Sequence, residues 1–259
     1  MSVHEWLNAG RGVLNLHRKG HCAFIIGAVL QCLLLLLSSC GFLDTLFPPE
    51  QIPFGGKNRS LLYIYYSDDS TAQEYRLFLE KREYSTDIIH ISDVTFTDLS
   101  LYGVLLAGPD TGASGGWGIE EDVSAMKNSG RPVIGIWEGG ASLFNALGLS
   151  IGGTDRSTFN DGAVYVTDDR HPIFNEPDVI DIPSTHVIDL YTNTSCIGIN
   201  QGILSPSVFL YGRNVSSQAY YTLLQEDCFF FWGFSDSPEA MTETGKVLFC
   251  NILEFLNVD

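Results

Sequence analysis

Acidic side chains follow three apolar runs of the sequence at the points where those runs end. Asp68 follows the first run, Asp110 follows a second and Glu138 follows a third. Carboxylates that meet in a cleft can act as general acid and base, or can hold a hard cation. Acidic residues at strand ends also serve as helix caps or as solvated charges. Residue types alone leave these roles open.

A glycine-rich loop runs from Gly108 to Gly118 and precedes a predicted helix. Its backbone N–H groups could bind an anion or a sugar hydroxyl, with Trp117 stacking on a ring. The loop is neither a P-loop nor a dinucleotide-binding turn, because it lacks both glycine patterns. A plain strand-to-helix connection is the alternative. His171 is either a polar crevice residue or a side chain that stabilises the turn at Pro172, and the turn is favoured.

Strand-like and helix-like segments alternate from residue 60 onward, which favours a parallel sheet covered by helices on both faces. We predict a three-layer, doubly wound (flavodoxin-like) α/β domain with a mostly parallel sheet, extra strands in the C-terminal half, and a crevice at the carboxyl ends of its strands. Strand-like runs occupy 60–66, 88–91, 103–107 and 132–137, and helices are predicted over 71–84, 119–128 and 140–147. The second half adds runs at 163–166, 185–190, 196–199, 207–211, 219–224 and 228–234, then a helix over 242–256 capped by Thr242.

Residues 132–140 read Pro-Val-Ile-Gly-Ile-Trp-Glu-Gly-Gly, a buried strand followed by a glycine-containing turn. This segment resembles the nucleophile elbow of the class I glutamine amidotransferase-like superfamily, Gly-Ile-Cys-x-Gly. Gly135, Ile136 and Gly139 match, and Trp137 occupies the cysteine position. Residues 102–109 resemble the oxyanion strand and loop of that family, while 168–174 and 234–251 resemble segments of ThuA-like and related noncatalytic members. The resemblance covers about residues 60 to 256 and implies the same fold.

The resemblance also implies what this chain cannot do. Thiol acyl transfer needs a thiolate and an activating histidine, and indole can serve as neither. The His-x-Glu pair of the family is absent as well. We therefore expect a domain without glutaminase or cysteine-hydrolase activity that binds a small polar ligand or an envelope partner. A hydrolase that uses crevice carboxylates, with carbohydrate as the candidate substrate, is the alternative. The candidate binding residues are Asp68, Asp110, Trp117, Trp137, Glu138, Gly139 and His171, and neither a metal nor a cofactor is predicted.

The N-terminal segment predicts where in the cell the protein is located. A basic stretch precedes an uncharged apolar run from Ala23 to Leu37. Leu37 is the first residue of the sequence Leu-Ser-Ser-Cys, whose last residue is Cys40. That run has the length of a signal-peptide core rather than of a membrane span. The ending resembles the bacterial lipobox, which implies a lipid anchor on Cys40 and an extracytoplasmic body; an uncleaved anchor or an ordinary signal peptide is the alternative. We assign residues 1–39 to a leader, 40–59 to a tether and 60–259 to the domain.

Charge and cysteine content limit the function further. The chain carries 31 acidic and 14 basic residues, a net charge of -17. Without Glu5, Arg11, Arg18 and Lys19 of the leader, 30 acidic and 11 basic residues remain, a net charge of -19. Such a body repels nucleic acid, so no nucleic-acid partner is expected. The cysteines of the body lack metal-ligand spacing and are predicted to be buried thiols, with one disulfide as the alternative; they are Cys196, Cys228 and Cys250.

Overall fold

The computed structural model describes residues 57–112 and 116–257. The predicted leader, most of the predicted tether and the predicted lipidation site at Cys40 lie outside these residues. None of the helices in the described ranges is long and apolar enough to cross a lipid bilayer.

Five parallel strands form the centre of the domain, in the order β2-β1-β3-β4-β11. The apolar side chains of β3 and β4 are buried on both faces, as expected for a parallel sheet between helices, whereas those of β2 are only half-buried. Leu106 pairs with Ile134, and Phe231 pairs with Gly135. The strands are β1 (Ser60–Tyr65), β2 (Ser85–His90), β3 (Val104–Ala107), β4 (Val133–Ile136) and β11 (Phe229–Trp232).

The remaining six strands extend the same sheet in antiparallel fashion. The order continues β11-β10-β9-β6-β7, while β8 pairs with both β10 and β5. The expected extra strands of the C-terminal half are therefore present, and they make the sheet mixed. The short, polar β5 is an addition that the sequence pattern did not predict. The strands are β5 (Arg156–Phe159), β6 (Ala163–Val166), β7 (Val187–Asp189), β8 (Cys196–Asn200), β9 (Phe209–Asn214) and β10 (Tyr220–Glu226).

Helices cover both faces of the sheet and complete the predicted three layers. One apolar cluster joins α1 and α4 to the sheet, and a second cluster joins α2 and α3 to the opposite face. Thr242 caps α4 as predicted, since its hydroxyl accepts a hydrogen bond from the N–H of Gly245 at 3.0 Å. The helices are α1 (Asp69–Glu80), α2 (Glu120–Asn128), α3 (Trp137–Ala146) and α4 (Glu243–Leu256).

The three cysteines of the domain are free thiols, and the prediction that they are buried is confirmed for two of them. Cys196 and Cys250 are buried, and Cys228 is half-buried. Burial raises the pKa of Cys196 to about 12 and that of Cys250 to about 11, and it also raises the pKa of Cys228. These thiols are therefore protonated at neutral pH, which makes them poor nucleophiles.

Candidate functional site

The sharpest backbone feature of the domain lies between β4 and α3. β4 ends at Ile136 and α3 begins at Trp137, so the predicted strand-to-helix turn is confirmed, although the helix begins earlier than expected. Trp137 has a φ of 45°, a conformation that costs a side-chain-bearing residue about 1–3 kcal/mol. Such strain persists only where the surrounding structure enforces it. The chain thus holds a tryptophan in the backbone conformation of an elbow.

Close backbone packing enforces that conformation. A Cβ atom on Gly139 would lie 1.9 Å from the carbonyl oxygen of Gly108, and one on Gly140 would lie 2.2 Å from the carbonyl carbon of Gly135. Both distances are far below any real contact of a Cβ atom. The first turn of α3 can therefore approach the ends of β3 and β4 only because these positions are glycine. The structure assigns Gly139 this packing role.

The indole of Trp137 is half-buried and packs against the apolar clusters on both faces of the sheet. Its Nε1 is buried and has no hydrogen-bond partner in the described part of the chain. A buried N–H without a partner loses the free energy of its hydration. The elbow therefore presents an unused donor at the position where the related motif has a cysteine.

Asp110 anchors the loop after β1. Its Oδ2 accepts hydrogen bonds from the backbone N–H groups of Tyr66, Ser67 and Asp68 at 2.5 to 3.0 Å. This carboxylate oxygen ties the end of β3 to the end of β1, as the crevice prediction requires. These hydrogen bonds give Oδ2 a positioning role for the loop after β1.

Asp68 is the N-cap of α1. Its carboxylate accepts from the Thr71 hydroxyl at 2.7 Å and from the Thr71 N–H at 3.1 Å. The Thr71 hydrogen bonds hold the pKa of Asp68 below its usual value. The capping role that the sequence left open is the one that the structure shows for this residue.

Glu138, the first residue after Trp137, forms an ion pair with Arg156 at 2.9 Å. The side chains are 33% and 31% exposed, so the pair is partly solvated. Because Arg156 begins β5, the pair links the elbow to the antiparallel extension of the sheet. Arg156 could not be predicted as a site residue, since it belongs to no motif and its strand was not predicted.

A cavity of about 180 Å³ lies beside this ion pair. Arg156 forms part of its wall, and Ser142 and Asn145 of α3 contribute a hydroxyl and an amide. Its polar groups include both donors and acceptors. The lining residues are Gly112, Gly116, Trp117, Ser142, Asn145, Ala146 and Arg156.

Trp117 differs from the expected stacking platform. The residue is only 2% exposed, and its Nε1 donates to the Thr111 hydroxyl at 2.9 Å. Thr111 in turn donates to the carbonyl oxygen of Gly108 at 2.7 Å. The ring is nearly buried and its hydrogen bond joins it to Thr111 after β3, so Trp117 is a packing residue at the cavity wall and not the open stacking platform that was expected.

His171 lies at the opposite edge of the sheet from the elbow. It follows β6, which runs antiparallel to β11 through β9 and β10, so its end lies at the amino edge of the parallel strands. The His171 ring lies 4.6 Å from that of Tyr211 and 5.1 Å from that of Phe255, and Nδ1 accepts from the Ile173 N–H. Burial lowers the pKa of His171. His171 therefore stabilises the turn at Pro172, which was the favoured interpretation. It does not lie at the crevice, where it had been included among the candidate binding residues.

The components of thiol acyl transfer do not meet at the elbow in the described part of the chain. β11, the neighbour of β4, is followed by Gly233, Phe234 and Ser235, where no histidine occurs. Cys228 precedes β11 at the amino edge, and Cys250 lies within α4. Within the described ranges, no three histidine, cysteine, aspartate or glutamate side chains group as a metal site.

Known structures resemble this domain in fold. No protein-family model and no curated protein match the sequence. The structure of PurLQS from Thermotoga maritima superposes with a TM-score of 0.51 at 13% identity, over 76% of this chain and 98% of that one. The glutaminase domain of Trypanosoma brucei CTPS, with bound acivicin, gives a TM-score of 0.49 at 9% identity, over 76% of this chain and 93% of that one.

The fold is therefore of the class I glutamine amidotransferase-like type. The order of the central strands and the turn at Trp137 agree with the resemblance that the sequence motifs indicated. At this level of identity the likeness concerns the fold alone.

Proposed function

We propose that this chain is an extracytoplasmic protein anchored through a lipid on Cys40, whose glutamine amidotransferase-like domain binds a small polar ligand and performs no thiol acyl transfer. The observation that carries the absence of thiol acyl transfer is Trp137 at a φ of 45°, while the ligand site is proposed from the cavity at Arg156. The domain keeps a costly elbow conformation and places there a side chain that can be neither nucleophile nor base.

The cavity beside Glu138 and Arg156 is the ligand site in this proposal. Its volume of about 180 Å³ suits a small molecule such as a monosaccharide or an amino acid. Arg156 would donate to a carboxylate or hydroxyl oxygen of the ligand, and Ser142 and Asn145 would fix its orientation. The existing ion pair with Glu138 at 2.9 Å holds the guanidinium in place before the ligand arrives.

The contacts of the crevice carboxylates do not favour the alternative of a hydrolase. Asp110 is engaged by three backbone N–H groups, and Glu138 is paired with Arg156. A general acid and base need carboxyl groups that can exchange protons with a substrate. The proposal is therefore restricted to binding.

Thermal shift measurements with monosaccharides, amino acids and dicarboxylates test the ligand site. A ligand at one hundred times its Kd stabilises the folded state by about 2.7 kcal/mol, which raises the Tm of a domain of this size by about 5–10 °C. Ala146→Trp should fill the cavity and abolish that rise. Ser124→Trp, which adds the same side chain on the exposed face of α2, should preserve it. A panel with no stabilising member, or equal shifts in the two variants, would contradict the site.

The anchor is tested separately by labelling with palmitate in a bacterial host. We expect label in the intact chain and none in Cys40→Ala. Label that survives the substitution would exclude Cys40 as the lipidation site while leaving the ligand site unaffected.

A further inference from the structure

We propose that the open edge of β2 is a docking site for an extended, positively charged segment of a partner protein, which pairs with β2 as an added strand. β2 is the end strand of the sheet and, among the described strands, pairs only with β1. Addition of a strand to an open edge is a recurrent mode of peptide recognition. This surface is distinct from the cavity at Arg156, so the inference goes beyond the proposed ligand site.

The backbone of β2 offers a row of hydrogen-bonding groups. The N–H of Ser85 donates to the Arg59 carbonyl oxygen at 2.9 Å, toward β1. Since successive residues direct their backbone groups to alternate sides, Thr86, Ile88 and His90 direct theirs toward the open edge. Proteins commonly block such edges with lysine or proline, and β2 contains neither.

The edge lies in a groove of about 730 Å³ with two walls. An added strand would direct alternate side chains toward the two walls. Residues of α1 form one wall, and residues near the 91–96 turn form the other: Asp69, Gln73 and Arg76 on the first, and Asp93, Phe96 and Tyr102 on the second.

Thr86 and Phe96, like the buried Nε of Arg76, lack contacts in the described part of the chain that their chemistry favours. Thr86 is 6% exposed, and its buried hydroxyl has no hydrogen-bond partner in the described part of the chain. Thr86 pairs with Leu61, which belongs to the apolar cluster on the α1 side, so the hydroxyl faces the first wall. Phe96 on the second wall is 88% exposed. A peptide strand would supply a partner to the first side chain and cover the second.

The charge of the groove specifies the partner. Asp69, Asp87 and Asp93 line it, while Arg76 is its only lysine or arginine and already pairs with Glu80 at 3.8 Å. A lysine- or arginine-bearing segment therefore complements the groove. A second copy of this chain, with a body of net charge -19, would be repelled.

The probe is a synthetic peptide of alternating lysine and valine, added to the full chain in a nonionic detergent. We expect saturable binding that weakens with added salt, and no binding of the matched glutamate–valine peptide. Hydrogen exchange should show new protection at the amides of Thr86, Ile88 and His90. The amides of Asp87 and Ile89 face β1 and should change little.

His90 provides a matched pair of variants. Its φ of -73° and ψ of 147° suit proline, so His90→Pro removes one outward N–H without a change of backbone conformation. His90→Ala removes the same imidazole but keeps the N–H. We expect His90→Pro to bind the lysine–valine peptide about fivefold more weakly than His90→Ala, as for one lost hydrogen bond.

N-methylation of every second residue of the lysine–valine peptide tests the same hydrogen bonds on the peptide. It removes backbone N–H donors of the peptide and keeps its charge. The N-methylated peptide should not bind the unmodified chain. Because this measurement uses the unmodified chain, it does not depend on whether His90→Pro disturbs β2. Three results would overturn the proposal. The lysine–valine peptide fails to bind, the glutamate–valine or N-methylated peptide binds equally well, or the two folded His90 variants have equal affinities. Protection of the edge amides that rises with protein concentration alone would also overturn the proposal, since it would identify a second copy as the occupant.

Discussion

The strained elbow predicts an inverted order of stability for two substitutions at Trp137. In an ordinary helix position, glycine is less stable than alanine by about 1 kcal/mol. At a φ of 45°, alanine carries a steric penalty of about 1–2 kcal/mol that glycine avoids. At the first residue of the helix, this steric penalty exceeds the difference in helix propensity, because the N–H of that residue has no partner within the helix. We therefore expect Trp137→Gly to be more stable than Trp137→Ala by about 0.5–1 kcal/mol.

Both variants should be less stable than the parent chain. The indole packs against the clusters on both faces of the sheet, and removal of a fully buried tryptophan costs about 3–5 kcal/mol. Because Trp137 is half-buried, a loss of about 2–3 kcal/mol is expected.

Urea denaturation followed by circular dichroism measures these differences as free energies of unfolding. Ser124, exposed in the middle of α2, provides the matched control. There the usual order should hold, with Ser124→Ala more stable than Ser124→Gly. If alanine is the more stable residue at both positions, Trp137 carries no backbone strain of this size.

Three further predictions concern the site and its surroundings. Neither the parent chain nor Trp137→Cys should release ammonia from glutamine, because no histidine follows β11; turnover that disappears on thiol alkylation would refute this. Asp110→Ala should lower the free energy of unfolding by about 2–3 kcal/mol, since three backbone N–H groups lose their acceptor, against about 1 kcal/mol for the lost helix cap in Asp68→Ala; chemical denaturation of both variants measures the contrast. Burial lowers the pKa of His171 below its value in the unfolded chain, so the unfolded chain binds more protons as the pH falls below about 6.5 and stability declines there. His171→Phe should reduce that decline in unfolding experiments between about pH 7 and 5, and an unchanged slope would contradict the linkage.

Features of the fold that depend on neighbouring residues could be predicted from the sequence. The apolar runs and helical spacings indicated the central strands and helices, because burial on one or both faces imposes a short-range period on the chain. The turn at Trp137 followed from Gly135 and Gly139, since a strand that meets a helix so closely needs residues without side chains. Thr242 could be identified as a cap for the same local reason.

Contacts between residues that are far apart in the sequence could not be predicted in this way, because they depend on the topology of the fold. Strand order and direction carried His171 to the amino edge, and the pairing of β5 with β8 placed Arg156 in position to reach Glu138. Burial turned Trp117 from an expected ligand platform into a packing residue, and it directed Asp110 to the backbone of the β1 loop. Contacts of this kind depend on topology over the whole chain, whereas sequence periodicity reports only which face of its own segment a residue occupies.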